Sequence, residues 1–282
     1  MYNNRFKFYL KRQIQSNMLI TLSPSKGQDF EHASPTQTYT IPQQLKLSGQ
    51  LVQQLKTLPV QEIKKLMSIS DNLAQLNYER YKDFNTPFNP QNAKQALFAF
   101  KGDVYSGIST ASMNQTDFEY AQDHLRILSG LYGCLRPLDL IQAYRLEMKT
   151  KLKTRKSENL YKFWGVTITE ILNKDLSKHK EKILVNLASN EYWKSVNPKM
   201  IDSKIINIAF KENKDGKSRI IAIYAKKARG MMTDFIIRNR IETTKSLKEF
   251  DYAGYKYDES VSKNDLFVFS RKQPKPLTKK KT

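Results

Sequence analysis

The sequence predicts an α+β fold, organised as a single mixed α/β globular domain. Segments rich in β-branched and aromatic residues, which indicate strands, are interspersed with amphipathic segments, which indicate helices. Because the two kinds do not alternate strictly, we expect α+β rather than a doubly wound sheet. A chain of 282 residues with 39% hydrophobic residues can bury a large core, so it needs no disulfide to fold.

The predicted elements follow from hydrophobic periodicity and local signals. Strand-like runs lie at 18–22, 183–188, 204–210, 219–225 and 265–269. Helical periodicity covers about 43–57, 59–68, 70–82, 90–97, 117–129, 160–174 and 226–241. The segment from Lys211 to Ser218, which contains Asp215 and Gly216, predicts a hairpin with a longer loop between the third and fourth strands. Thr116 with Glu119 forms a capping-box pattern that begins the helix at 117–129, and Gly130 ends it.

The net charge indicates which kinds of partner the protein can bind. Lys and Arg number 48 against 27 Asp and Glu, a formal charge of +21, which attracts polyanions such as nucleic acid. An AT-rich genome also produces lysine-rich surfaces, so the charge alone does not show that the protein binds nucleic acid.

We interpret residues 1–17 as a basic extension outside the fold, 18–271 as the domain and 272–282 as a basic flexible tail. No apolar run reaches the roughly 18 residues of a membrane span, so we expect a cytoplasmic protein without a membrane partner.

Metal and cofactor sites are not predicted. The chain has one cysteine, Cys134, and three histidines far apart in sequence, whereas structural zinc requires several such ligands close together. Neither a G-x-x-x-x-G-K-[ST] loop nor a G-x-G-x-x-G motif is present. We therefore expect no metal and no cofactor.

Two basic elements are candidates for contact with phosphates. Gly130 and Gly133 enclose a turn that resembles the hairpin of a helix-hairpin-helix module, in which glycine amides approach DNA. Two residues separate these glycines instead of the usual one, so an ordinary helix end and turn also fits. In the helix at 226–241, Lys226 and Arg229 share one face, and an ordinary amphipathic helix is the alternative. Gly230 in that helix predicts close approach of another backbone or of a ligand.

Three polar segments lie at or just beyond strand-like runs, at 23–26, 100–107 and 186–192, and the second of them contains Gly102 and Gly107. Loops held by a rigid scaffold can converge on a cleft. Plain turns are the alternative interpretation of each segment.

Taken together, these segments resemble the YaaA family of peroxide-stress proteins from Met18 to about Arg271. The resemblance is carried by SPSK at 23–26, LMSISD at 66–71, FKGDVY at 100–105, HLRILSGLYG at 124–133, LRPLD at 135–139, YRLEM at 144–148, LYKFW at 160–164, NLAS at 186–189, EY at 191–192 and AKKARG at 225–230. It implies a cytosolic bacterial protein that supports survival of hydrogen peroxide, lowers free intracellular iron and limits oxidative DNA damage. It further implies the "cantaloupe" type of fold, a helix-hairpin-helix-like element at about 117–145, a positively charged cleft and DNA binding.

The first functional hypothesis is a monomeric DNA-binding protein. Phosphate contacts carry little sequence information, so we expect selectivity for duplexes with gaps, bubbles or junctions. The candidate DNA-binding residues are Lys26, Lys101, Arg126, Gly130, Gly133, Arg136, Arg145, Lys226, Lys227 and Arg229.

The second hypothesis is an enzyme that acts on a nucleobase or nucleotide in the manner of an N-glycosylase, which requires at least two carboxylates facing one pocket. Its candidate catalytic residues are Asp103, Asp139, Glu191, Tyr105 and Tyr192. In the alternative interpretation, these acids pair with the basic surface. Direct iron sequestration is not predicted, because the sequence lacks the His/Glu spacing of di-iron helices.

Overall fold

Residues 18–155 and 157–275 are described by a computed structural model, so the predicted extension at 1–17 and residues 276–282 of the predicted tail lie outside it. The strands are β1 Met18–Leu22, β2 Gly27–Gln28, β3 Lys94–Gln95, β4 Phe100–Lys101, β5 Leu125–Ser129, β6 Gly133–Leu135, β7 Leu140–Ile141, β8 Ile183–Asn186, β9 Lys204–Lys214, β10 Lys217–Arg219, β11 Lys256–Tyr257 and β12 Leu266–Lys272.

Helices flank these strands. They are α1 Leu45–Lys56, α2 Val60–Met67, α3 Asp71–Asp83, α4 Ala96–Ala99, α5 Gln115–His124, α6 Leu160–Trp164, α7 Thr167–Leu176, α8 Asn190–Trp193, α9 Ala222–Asn239 and α10 Thr244–Leu247. Short 3-10 turns lie at Tyr105–Gly107, Thr110–Ser112, Pro198–Met200 and Tyr252–Gly254. Within the described ranges, none of the helices combines the length and apolar character that crossing a bilayer demands.

The main sheet has eight strands, in the order β11-β12-β9-β8-β1-β5-β6, with β10 paired to β9. β5, β1, β8, β9 and β12 are neighbouring parallel strands, whereas β6, β10 and β11 pair antiparallel at the margins. All five residues of the central β1 are buried, as expected for a parallel strand covered on both faces. The prediction of a mixed α/β domain is confirmed. The parallel core was not foreseen, because the crossover from β1 to β5 spans residues 23–124 and hides the alternation of strand and helix.

Most predicted strands are confirmed, with changes at their ends. The strand at 18–22 matches β1, and the runs at 183–188, 204–210 and 265–269 correspond to β8, β9 and β12. The strand predicted at 219–225 is wrong, since β10 ends at Arg219 and α9 begins at Ala222. Ile220 and Ile223, whose β-branched side chains suggested that strand, are exposed. The predicted hairpin is present, but its loop is shorter than predicted. β9 extends to Lys214 and β10 begins at Lys217, so Asp215 and Gly216, both with positive φ, form a tight two-residue turn.

The helix-hairpin-helix prediction for about 117–145 is wrong. The helix α5 ends at His124, and residues 125–129 form the buried strand β5. β5 pairs antiparallel with β6, so the glycine-containing turn joins two strands and no second helix follows it. The capping box is also displaced, because Asn114 and Asp117 form it instead of Thr116 and Glu119.

Gly130 and Gly133 are explained by packing at this β-hairpin. A Cβ on Gly130 would lie 2.2 Å from the carbonyl oxygen of Leu146. Gly133 has a φ of +69°, and a Cβ there would lie 2.7 Å from the Trp164 ring. Both glycines are buried, so neither can present its amide to DNA as the helix-hairpin-helix interpretation required.

Candidate functional site: a cleft at the carboxyl ends of the central strands

A cleft of about 860 Å³ opens where β1 and β8 end. β1 has β5 on one side and β8 on the other, so the connections leave the centre of the sheet in opposite directions. Crevices at such switch points are the usual ligand sites of parallel sheets. The segment at 23–26 that follows β1 and the segment at 186–192 that follows β8 both line the cleft, as does the start of α9. Its volume lies within the range of small-molecule and cofactor sites.

The floor of the cleft is polar and cross-linked. The amide of Ser189 donates a hydrogen bond to Ser23 Oγ at 2.8 Å, and Ser23 Oγ donates to Ser189 Oγ at 3.2 Å. The buried hydroxyl of Tyr105 donates to the carbonyl of Ser23 at 3.1 Å. The Asn186 side chain donates to Oδ1 of Asn207 at 2.9 Å, which joins β8 to β9. These bonds tie together the loops that end neighbouring strands, so the floor is preorganised.

One wall of the cleft carries Glu147 among three cations. Its carboxylate lies 3.0 Å from Nζ of Lys26, 3.5 Å from Nζ of Lys149 and 3.4 Å from Nη2 of Arg145. Burial acts to raise the pKa of Glu147, but the Lys26 hydrogen bond and the surrounding positive charges outweigh it and lower the pKa overall. The negative charge of Glu147 therefore offsets part of the positive field on this side.

The opposite wall comes from α9. Lys226 and Arg229 lie one turn apart and both line the cleft, with Nζ of Lys226 3.9 Å from Asp103 Oδ2. Arg229 is half-buried, and its burial lowers its pKa. Across residues 18–155 and 157–275, the Arg229 guanidinium has neither an ion pair nor a hydrogen-bond partner. A desolvated cation without a counter-charge is costly, so this group favours a bound anion.

Comparison with known proteins places the chain in a family. Residues 18–261 match the family described as "Peroxide stress protein YaaA". The chain belongs to the YaaA family. It is 52% identical over 254 residues to a "UPF0246 protein" of Acaryochloris marina, covering 90% of this chain and 100% of the relative. It is 49% identical over 256 residues to a "UPF0246 protein" of Saccharophagus degradans, covering 91% of this chain and 100% of that relative.

In this YaaA-family structure, the cleft brings together six of the residues selected from the sequence. Lys101 and Tyr105 line an adjoining pocket that shares Gly102 with the cleft, and Nζ of Lys101 is 3.0 Å from Asp29 Oδ2. Arg145 lies behind Glu147. The six residues lining the cleft itself are Lys26, Asp103, Glu191, Tyr192, Lys226 and Arg229.

The remaining candidates lie elsewhere. Arg126 is buried, and its Nε lies 2.6 Å from Asp175 Oδ2, so a phosphate cannot reach it in this conformation. Arg136 binds the fully buried Asp139, with Nη2 2.7 Å from Oδ1, so both serve the packing of this segment. Lys227 is exposed but does not line the cleft. These four side chains are therefore removed from the candidate site, together with the two hairpin glycines.

Two residues of the cleft were missed in the sequence. Glu147 is the sole acid between Asp139 and Glu158, in a segment that carries six lysines and arginines, and this isolation was the available signal. Asn207 lies within the strand β9 and gave no signal of its own, because its contact with Asn186 depends on the pairing of β8 with β9.

Two further features bear on chemistry, namely the possible metal ligands and the thiol of Cys134. Over the described part of the chain, no cluster of three or more His, Cys, Asp or Glu side chains is placed to hold a metal ion. Cys134 is buried in β6, and burial raises the pKa of its thiol to about 12. A thiol in this setting is a poor nucleophile toward peroxide.

Proposed function

We propose that this protein is a cytoplasmic, monomeric DNA-binding protein of the hydrogen peroxide response that limits oxidative damage to DNA. The observation that carries the proposal is the half-buried Arg229, whose guanidinium has no ion-pair or hydrogen-bond partner among the described residues, in a cleft whose rims also bear Lys26, Lys149 and Lys226. Nucleic acid carries a phosphate anion at each nucleotide, and arginine binds phosphate through paired hydrogen bonds. We also propose the "cantaloupe" type for the fold, which its large mixed sheet supports.

The shape of the cleft supports a preference for irregular DNA. About 860 Å³ accommodates a ligand of nucleotide size rather than a double helix. Gaps, bubbles and junctions supply nucleotides that have already left the base stack, so they enter such a cleft at a lower energetic cost. The effect on intracellular iron is proposed as an indirect consequence, and no residue of the cleft is assigned to hold iron.

Salt dependence tests the phosphate contacts. We expect the logarithm of the association constant for a fluorescein-labelled bubble duplex to fall linearly with log[salt]. The slope of this line should be steeper by about 0.9 for each phosphate that the protein neutralises. The bubble should also bind more tightly than the matched duplex at every salt concentration. Fluorescence anisotropy at about 50–200 mM salt measures both quantities. Affinity that is independent of salt would contradict the proposal.

A pair of neighbouring substitutions locates the contacts. Arg229→Ala should weaken binding of the bubble duplex about tenfold, roughly 1.4 kcal/mol, and reduce the salt slope by about one. Lys227→Ala removes the same charge from the same helix, but outside the cleft, and should change affinity less than about twofold. Equal losses in the two variants would show that the general field of α9 binds DNA and that the cleft does not. Circular dichroism and thermal melting check that both variants fold.

A second candidate function is supported by the placement of two carboxylates. Asp103 and Glu191 line the same cleft, which meets the condition set for an enzyme, whereas Asp139 is buried elsewhere. We propose hydrolysis of an N-glycosidic bond as this alternative. One carboxylate would take a proton from the attacking water and the other would protonate the departing base, so the sugar gains a hydroxyl as the base leaves.

Release of free base tests this alternative. Bubble and gapped DNA incubated with the protein should yield a nucleobase detectable by liquid chromatography. Asp103→Asn and Glu191→Gln should each reduce the rate at least about a hundredfold while DNA stays bound. If the native protein releases no base from any of these substrates, the enzyme hypothesis is rejected and the binding proposal stands.

A further inference from the structure

Ile220, which lines the cleft, and Ile223, three residues later, are the most exposed large hydrophobic side chains among the described residues. Ile220 is 59% and Ile223 is 57% exposed, and the next most exposed large hydrophobic side chains in the described residues reach 44%. Burying an isoleucine stabilises a protein relative to leaving it exposed. Single exposed residues of this kind are ordinary, but two within three residues of each other, one of them lining a cleft, indicate a contact surface.

Their location ties them to the cleft. Ile220 lines it and lies between β10 and α9, while Ile223 is in the first turn of α9, one turn before Lys226. The helix is held firmly, because Gly230 packs directly against the backbone of Val104. Ile223 is therefore presented by a helix that is fixed against the rest of the domain, and Ile220 precedes the start of that helix by two residues.

The charge around them selects the partner. Between Asp215 and Asp234 the sequence contains no acid. The cations of the segment are Lys217, Arg219, Lys226, Lys227 and Arg229. A partner that is both polyanionic and apolar inside fits this surface. Nucleic acid has charged phosphates outside and stacked bases inside, and its strand can follow a concave cleft that a flat lipid surface does not enter.

We propose that Ile220 and Ile223 form an apolar wedge that inserts between neighbouring bases of the DNA held by the cleft. This inference rests on the proposed DNA binding. Proteins that deform DNA use isoleucine, leucine and phenylalanine in this way, and opening a base step costs free energy. The cost is smallest where stacking is already interrupted, so the wedge supplies the preference for irregular DNA that the phosphate contacts lack.

The test uses duplexes that carry 2-aminopurine beside a bubble. The fluorescence of this base rises when it unstacks from its neighbours. The intact chain should raise the fluorescence on binding. The double variant Ile220→Ser/Ile223→Ser should abolish this rise and weaken binding of the bubble about tenfold, while binding of the matched duplex changes less than about twofold. Val261→Ser removes another exposed aliphatic side chain outside the cleft lining and should behave as the native protein does.

The outcomes separate this proposal from the one on which it rests. If the native protein binds the bubble in a salt-dependent way and the double variant keeps both the affinity and the fluorescence rise, the wedge is rejected and DNA binding stands. If the native protein binds no DNA, both fail. If the double variant instead loses binding to vesicles of anionic phospholipid, with DNA binding intact, the surface belongs to a membrane contact and the wedge is overturned.

Discussion

Gly230→Ala is expected to lower the free energy of unfolding by about 3 kcal/mol. A Cβ at this position would lie 1.8 Å from the carbonyl oxygen of Val104 and 3.1 Å from the Cα of Gly107. Both neighbours are backbone atoms, so no side-chain rotation relieves the clash and α9 must move away from the turn at Tyr105–Gly107. Asp103 and Val104 line the cleft, so the same displacement should weaken DNA binding. Urea unfolding measured by circular dichroism gives the change in stability.

Gly49→Ala is the matched control for this substitution. Gly49 also lies within a helix, α1, but a Cβ there would have no atom within 4 Å. Alanine is a better helix former than glycine, so this variant should gain about 0.5–1 kcal/mol. Opposite signs for the two replacements are the expected result. A loss of less than about 0.5 kcal/mol for Gly230→Ala would show that α9 does not depend on this close contact.

The sequence predicted the elements whose local signals agree with their tertiary setting. β1 was located to the residue because a run of apolar side chains ends at Ser23 and Pro24. Residues 125–129 were assigned to a helix because Leu125 and Leu128 continue the helical spacing of α5. These residues form a strand because they pair with β1, which lies about a hundred residues earlier in the sequence. Periodicity cannot separate a short buried strand from a helix, so only the sheet resolves it.

The candidate site shows the same division. The loops at 23–26 and 186–192 were predictable because polar residues follow strands that the sequence already indicated. The roles of the individual cations were not predictable, because pairing decides whether a positive charge faces solvent or supports the fold. Arg126 and Asp175 are 49 residues apart in sequence, and nothing local marks them as partners. Arg229, in contrast, has no such partner within the described ranges.

Arg126→Met is expected to lower the free energy of unfolding by about 3 kcal/mol at pH 7 while DNA affinity stays within about twofold. Methionine keeps much of the side-chain volume, but it leaves the buried Asp175 carboxylate without its buried counter-charge, and only the exposed Lys178 remains beside it. In the native protein, burial acts to raise the pKa of Asp175, and the charge and hydrogen bond of Arg126 lower it overall. The pair therefore adds stability above the unfolded-state pKa of about 3.9, and this stability is lost as the pH falls through the folded value.

The pH dependence of this variant separates a lost ion pair from lost packing. Without Arg126 the pKa of Asp175 rises, so the folded variant takes up a proton more readily than the unfolded chain. Its deficit should be largest at pH 7 and should shrink as the pH falls toward about 4, whereas a packing defect would cost the same at every pH. Lys178→Met removes the other cation that contacts Asp175. The Lys178 side chain is 53% exposed, so this variant should lower the free energy of unfolding by less than about 1 kcal/mol. If Arg126→Met instead left stability unchanged and weakened DNA binding tenfold, the guanidinium would belong to the DNA interface after all.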